Sequence, residues 1–323
     1  MNFTLETAIF ATLIAFVANI ILCPLLIPIL KRIKFGQNVR DDGPSSHLQK
    51  AGTPTMGGII IIIAFALGSF LFIWGNIYGM LVAFVTISFG IIGFIDDYIK
   101  VVKKRSLGFK ALPKFLLQIL ASLVFLFLLT NLTDSYYSYF IVPFTNGLYI
   151  NMGVFFIPGA LFIMLGTVNG VNFTDGLDGL ASGVTVLVVT FFLFASAWLS
   201  NYYVMPITGA AAGSLLGFLL FNTYPARVFM GDTGSLALGG LVASIAIILQ
   251  MPLFLAIVGL VYVIEVLSVI LQVGYFKMTG GKRLFKMAPI HHHFELLGIP
   301  ESKVVAIFYI FTVAMCLIGF LSL

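Results

Sequence analysis

The stretch IYGMLVAFVTISFGIIGFIDDYIKVVKKR, residues 77–105, decides the fold. From Ile77 to Ile95 it carries no charged side chain, and a helix needs about 20 apolar residues to cross a bilayer. Two adjacent carboxylates, Asp96 and Asp97, close the run, and Lys100, Lys103, Lys104 and Arg105 follow. Basic residues gather on the cytoplasmic side of a membrane protein. One passage therefore predicts a span and its direction. It also holds an acidic pair at the membrane boundary that neither of these explains.

The rest of the chain repeats the pattern. Of 323 residues, 60% are hydrophobic and 9% charged, against roughly 25% charged in a soluble domain. That excludes a soluble globular enzyme, a secreted disulfide scaffold and a disordered chain. Apolar runs of span length predict ten helices, at about residues 5–30, 55–75, 77–97, 115–131, 154–171, 179–199, 204–221, 235–250, 253–276 and 304–322. The splits near Gly75-Asn76 and Gln250-Met251-Pro252 rest on short polar or proline breaks. The first run, Thr7 to Leu30, has no basic leader and is too long for a signal core. Cys23 and Cys316 sit inside apolar runs and read as small membrane-buried side chains. The expected fold is an all-α polytopic membrane protein, a single integral membrane domain over residues 1–323.

All 17 Lys and Arg residues fall in the loops after spans one, three, seven and nine. These are alternate loops, so they lie on one side, predicted to be cytoplasmic. Ten spans then place both termini outside. The opposite loops are nearly uncharged. In the longest, about 132–153, Asn146-Gly147 between aromatic and β-branched runs predicts a small extracytoplasmic β-hairpin.

Topology accounts for the bases but not for the acids. Nine of the twelve Asp and Glu residues share the basic side. Asp96 and Asp97 repel each other unless a cation sits with them, and paired carboxylates with phosphate oxygens are a usual way to hold Mg²⁺. The alternative is a solvated helix end. Asp175 and Asp178, in Asn172-Phe-Thr-Asp175-Gly-Leu-Asp178-Gly, are three apart and would share the first turn of span six if it began there. They read equally as caps. The loop Asn222-Thr-Tyr-Pro-Ala-Arg-Val-Phe229-Met-Gly231-Asp232-Thr-Gly-Ser brings an amide, an aromatic ring, two glycines and an acid together, with Asp232 or Thr233 as possible caps of span eight. Three independent caps would have no reason to share one side, which favours a common Mg²⁺–phosphate site. His291, His292 and His293, followed by Glu295, fall on a short helix from Ile290 to Leu297 that ends at Gly298 and Pro300. Consecutive helical residues diverge, so the three cannot share one metal. Glu265 stands alone near the middle of span nine, either as a hydrogen-bonded packing residue or as a functional intramembrane acid.

Together these motifs resemble the phospho-N-acetylmuramoyl-pentapeptide-transferase family, within the polyprenyl-phosphate hexosamine-phosphate transferases. The discriminating stretches are Pro44-Ser-Ser-His47-Leu-Gln-Lys50-Ala-Gly-Thr53-Pro-Thr55-Met-Gly-Gly58 and Ala288-Pro-Ile-His291-His-His293-Phe-Glu295. The resemblance implies transfer of phospho-N-acetylmuramoyl-pentapeptide from its UDP carrier to undecaprenyl phosphate, giving UMP and lipid I. That is the first membrane step of peptidoglycan synthesis in a bacterial cell membrane, with the site on the cytoplasmic side. It further implies Mg²⁺, a homodimer, a broken span nine forming a lipid groove, and no nucleic-acid partner. It makes Asp232 the main metal ligand, with Asp96 and Asp97 beside it, and Asp96 the base or orienter for the lipid phosphate. His291 joins these three in catalysis. Lys50, Asp178, Asn222 and Phe229 resemble the uridine pocket. Thr55, Asn172, Asp175, Gln272, His292 and His293 resemble the surrounding substrate shell, with Gly231, and Lys100 and Lys114 would hold anions. Two rivals remain at this stage: a sister transferase using UDP-N-acetylglucosamine, and an ion-coupled transporter using Glu265.

Overall fold

The computed structural model describes residues 4–32, 50, 52–102, 108–133 and 137–323. His47 and its neighbours from Pro44, the acids Asp41, Asp42 and Asp134, and the bases Lys34, Arg40, Lys103, Lys104 and Arg105 lie outside the described residues. The helices are α1 (Leu5–Arg32), α2 (Gly58–Ile73), α3 (Ile77–Val102), α4 (Ala111–Leu132), α5 (Phe156–Thr174), α6 (Leu180–Trp198), α7 (Met205–Asn222), α8 (Gly231–Ile248), α9 (Pro252–Val258), α10 (Leu260–Met278), α11 (Ile290–Leu296) and α12 (Glu301–Leu321). Strands β1 (Tyr139–Ile141) and β2 (Tyr149–Asn151) pair antiparallel, Phe140 opposite Ile150. This is the expected hairpin, with Asn146 and Gly147 both at positive φ in its turn.

Among the described residues, nine helices are long and apolar enough to cross a membrane. The tenth predicted span, α2, is apolar but only 16 residues long. It starts at Gly58 rather than 55 because the preceding residues are used elsewhere. Phe229 N donates to Pro54 O and Gly57 N donates to Phe229 O, an extended pairing with the α7–α8 loop. Both uncertain splits are real. Asn76 Oδ1 accepts from Gly79 N and so caps α3, and Gln250 sits at φ +59 between α8 and Pro252. Span nine is broken at Gly259, which ends α9 and precedes α10. Exposed Phe10, Leu13, Val17, Ile21 and Leu25 form the outer face of α1, a surface suited to lipid and not to water.

The bundle is organised around α8, in which every residue from Thr233 to Ile248 is buried. Lipid tails are as apolar as leucine, so membrane helices associate through close packing and polar contacts more than through exclusion from water. Small residues provide that packing here. A Cβ on Gly58 would lie 2.1 Å from Gly234 N, and one on Gly93 would lie 2.0 Å from Asp232 O. Thus α2 and α3 touch α8 backbone to backbone. Gly209, Gly213 and Gly217 on α7 meet α1 in the same way, beside Asn19 Nδ2, which donates to Ser214 O.

α8 has a different neighbourhood at each end. Its N-terminus meets the C-terminal part of α3 and the start of α4. Beyond its C-terminus, Gln250 O accepts from Ile141 N of the hairpin, and Phe144 N donates to Ser322 O after α12. An 18-residue helix is about 27 Å long, so hairpin and acidic cluster lie on opposite faces of the bundle.

Candidate active site

Asp96, Asp97 and Asp232 meet at the N-terminus of α8, each offering a carboxylate oxygen within 4.8 Å of the others. Asp96 and Asp97 are buried. The two from α3 have different partners. Asp97 Oδ2 accepts from Thr233 N (2.8 Å) and Thr233 Oγ1 (2.7 Å), and its Oδ1 accepts from Asp232 N (3.1 Å). Neither Asp232 nor Thr233 caps α8, as the sequence had suggested. Asp97 does so from the neighbouring helix. It satisfies backbone donors that a helix start otherwise leaves unpaired. Gly231 stands at φ +69, and a Cβ there would lie 2.6 Å from Asp97 Oδ2 and 2.7 Å from Thr55 Oγ1, which places Thr55 at the cluster.

Asp96 and Asp232 are bridged by ammonium groups. Lys100 Nζ lies 2.6 Å from Asp96 Oδ2 and 3.0 Å from Asp232 Oδ2. Lys114 Nζ reaches the same two oxygens. Phe109 N donates to Asp96 Oδ1 (2.6 Å), and Asn172 Nδ2 donates to Asp232 Oδ1 (3.2 Å) and Ser235 Oγ (2.8 Å). With all three carboxylates ionised, two ammoniums leave one net negative charge. An all-oxygen donor set of this kind suits a hard divalent cation.

Asp178 belongs to a second group. Lys50 Nζ contacts Asp178 Oδ1 (2.7 Å) and Glu301 Oε1 (2.6 Å), and lies 6.0 Å from the Phe229 ring centroid. Burial alone would lower the Lys50 ammonium, but the hydrogen bonds and charges of Asp178 and Glu301 outweigh it and hold it above its ordinary 10.5. Ala226 N donates to Asp178 Oδ2 (2.8 Å) and Asp178 N donates to Glu301 Oε1 (2.8 Å). Asn222 is spent on the scaffold: its Nδ2 donates to Val228 O and its Oδ1 accepts from Ser182 Oγ.

Asp175 and Asp178 do not share a helical turn, because span six starts after them, as its predicted bounds of 179–199 place it. Gly179, at φ +81, starts α6 at Leu180, so both aspartates lie in the α5–α6 loop. Burial first, then the charges of Asp232 and Asp97, push the Asp175 carboxyl well above the ordinary 3.8. The linkage follows. The folded state keeps a proton that the unfolded chain releases, so stability from this group is full below 3.8 and declines as pH rises through the folded value. Asp175→Asn, which mimics the protonated form, should therefore melt at or above the temperature of the parent at pH 7. The difference should shrink as pH falls toward 3.8. A lower melting temperature at pH 7 would show that an ionised, paired Asp175 is the stable form.

The three histidines diverge as expected. His291 Nδ1 faces Glu265 Oε1 (3.1 Å), His292 Nδ1 faces Glu295 Oε2 (2.8 Å), and His293 Nδ1 accepts from Lys286 N (3.1 Å). Gln272, on α10, clamps the loop that follows: its Oε1 accepts from Leu284 N and Phe285 N, and its Nε2 donates to Phe285 O. Glu265 is not isolated in mid-span. The break at Gly259 leaves it in the second turn of α10, where it meets α11.

Sequence reasoning missed Glu301. It is one of the nine acids on the basic side and belongs to no motif, and an acid just after Pro300 also suits a helix's first turn. Ser182 and Ser235 were missed as well. Nothing local marks a serine that supports an asparagine 40 or 63 residues away.

The glycosyl transferase family 4 pattern matches residues 77–250, and phospho-N-acetylmuramoyl-pentapeptide-transferase signature 1 matches residues 50–62. The chain is 51% identical to the phospho-N-acetylmuramoyl-pentapeptide-transferase of Clostridium novyi, over 98% of this chain and 96% of that one. It is 50% identical to the enzyme of that name from Clostridioides difficile, over 97% of both chains. With the one from Acetivibrio thermocellus it shares 48% identity over 100% of this chain and 97% of the relative. The Asp96–Asp97–Asp232 cluster, the Lys50 group and the α11 histidines thus sit in a multi-pass membrane protein that belongs to the phospho-N-acetylmuramoyl-pentapeptide-transferase family.

Proposed function

We propose that the protein transfers phospho-N-acetylmuramoyl-pentapeptide from UDP to undecaprenyl phosphate, releasing UMP and forming lipid I. The observation that carries this reading is the convergence of three carboxylates and two lysines at one membrane-boundary end of the bundle. Phosphoryl transfer depends mainly on placement and charge neutralisation. Mg²⁺, held by Asp232 with Asp96 and Asp97, would neutralise charge on the diphosphate as UMP leaves. Lys100 and Lys114 bind phosphate oxygens, and Asp96 orients the lipid phosphate. Lys50, Asp178 and Phe229 receive the uridine, backed by Asn222. Every described Lys and Arg lies at or next to this end, which we take as cytoplasmic. A water-soluble nucleotide and a membrane-bound lipid phosphate can both reach such a boundary. A homodimer is expected from the family.

The deciding experiment measures UMP release by purified protein with undecaprenyl phosphate and defined sugar nucleotides, with and without Mg²⁺. Release should require the muramoyl-pentapeptide nucleotide and the cation. Turnover of UDP-N-acetylglucosamine in its place would hand the assignment to the sister transferase. The transporter reading predicts that Glu265→Gln abolishes activity while Asp232→Asn is tolerated, whereas the transferase reading predicts loss at Asp232.

Gly176 offers a sharper test of the histidine loop. A Cβ there would lie 2.1 Å from His291 Nε2, so Gly176→Ala must displace the ring or the loop. A misplacement of about 1 Å can cost about 10²-fold in rate, and Gly176→Ala should lose UMP release on that scale. Unchanged turnover would show that the seating of His291 against the α5–α6 loop does not limit the reaction.

A further inference from the structure

Glu265 and His291 are both fully buried. The carboxylate has two donors: Ile290 N to Oε2 (3.1 Å) and His291 Nδ1 to Oε1 (3.1 Å). Both lie in the first turn of α11, so one side chain on α10 fixes where that helix starts and how its first imidazole is turned. A carboxylate at Nδ1 places the ring proton there and leaves Nε2 for other work. His291 Nε2 is buried and has no hydrogen-bond partner among the described residues. It abuts Gly176, in the loop that carries Asp175 and Asp178. That loop is held from its other side by Glu301, which accepts from Asp178 N.

The geometry points to Glu265 as a positioning residue for the transfer reaction, acting through His291. The assignment rests on the function proposed above. Glu265 sets the tautomer and tilt of the imidazole, and the imidazole braces the α5–α6 loop against the site. Glutamine cannot replace it. An amide oxygen accepts from one of the two donors, and its NH₂ then faces the other.

The test is a kinetic cycle on the full-length protein in detergent or bilayer, read as UMP release. Loss of a group that orients a functional imidazole typically costs about 10- to 100-fold. Glu265→Gln should lose that much in kcat, with KM for the nucleotide within about 3-fold of the parent. Glu265→Asp keeps both acceptor oxygens and should retain more activity than Glu265→Gln. In a His291→Ala background, Glu265→Gln should cost nothing further. Independent losses that multiply, a KM effect without a kcat effect, or Glu265→Gln outperforming Glu265→Asp would each overturn the assignment. Thermal melting and UMP binding of each variant separate misfolding from mispositioning: a variant that binds UMP normally is folded at the site. A parent protein that releases no UMP sinks the proposed function and this role together. An active parent with multiplying losses sinks this role alone.

Discussion

Asp232→Asn is expected to cut UMP release on the order of 10³-fold, the scale of losing one charge partner in phosphoryl transfer. That corresponds to about 4 kcal/mol of barrier. Asp232 Oδ2 faces two ammonium groups and Oδ1 faces the Asn172 amide, so both oxygens accept from nitrogen donors. An asparagine must turn its own NH₂ toward one set or the other, and no orientation satisfies both. With the carboxylates ionised, the substitution also removes the cluster's net negative charge, leaving two carboxylates against two lysines. Divalent-cation binding, followed calorimetrically in detergent, should weaken in parallel with rate. The fold should survive, because Asp97 and not Asp232 caps α8. Full turnover by a well-folded Asp232→Asn protein would falsify the metal assignment.

Gly93→Ala is expected to damage both stability and turnover, and more than Gly176→Ala, the other single methyl added at the site. Its Cβ would sit 2.0 Å from Asp232 O and 2.4 Å from Asp232 C, against backbone that has no rotamer to change. Overpacking a filled core costs about 1–3 kcal/mol and occasionally more. The same displacement pushes α3 away from α8, and so parts Asp96 and Asp97 from Asp232. Stability and UMP release should therefore fall together. Gly166→Ala is the control, since a Cβ there meets nothing within 4 Å; its melting temperature and rate should match the parent. If Gly93→Ala behaved like Gly166→Ala, the close approach of α3 and α8 would be wrong.

The fold was legible because a bilayer allows few solutions. Length and hydropathy locate a span whatever its neighbours are, and each of the ten apolar runs is helical, the ninth as two pieces, α9 and α10, parted at Gly259. The failures are at the ends. Span eight was expected from 235, yet α8 begins at Gly231, because Asp97 on another helix supplies its cap. The apolar run predicts helix from 55, but Pro54, Gly57 and Gly58 pair with the α7–α8 loop instead. Candidate site residues were legible where an acid or histidine stood at a boundary that charge sorting could not explain. Glu301 escaped because first-turn acids are ordinary, and its partner Lys50 is 251 positions away. The Glu265–His291 contact escaped because the broken span hid which helix faces which. Contacts between helices depend on their order in the bundle, and hydropathy carries no record of that.

The cap that Asp97 places on α8 also has a meaning in time. Its partners Asp232 and Thr233 are 135 and 136 residues downstream. At a synthesis rate of about 5–20 residues per second, they emerge roughly 7–27 s later. During that interval Asp96 and Asp97 wait at the membrane edge with no third carboxylate to complete the cluster. The nascent chain therefore cannot assemble the three-carboxylate cluster early. The cluster is completed in one step, when α8 docks on α3, and that docking both closes the core and brings the three carboxylates together; the histidines of α11 and Glu301 of α12 join the site only afterwards. A truncated chain ending before α8 should insert into the membrane and remain catalytically silent.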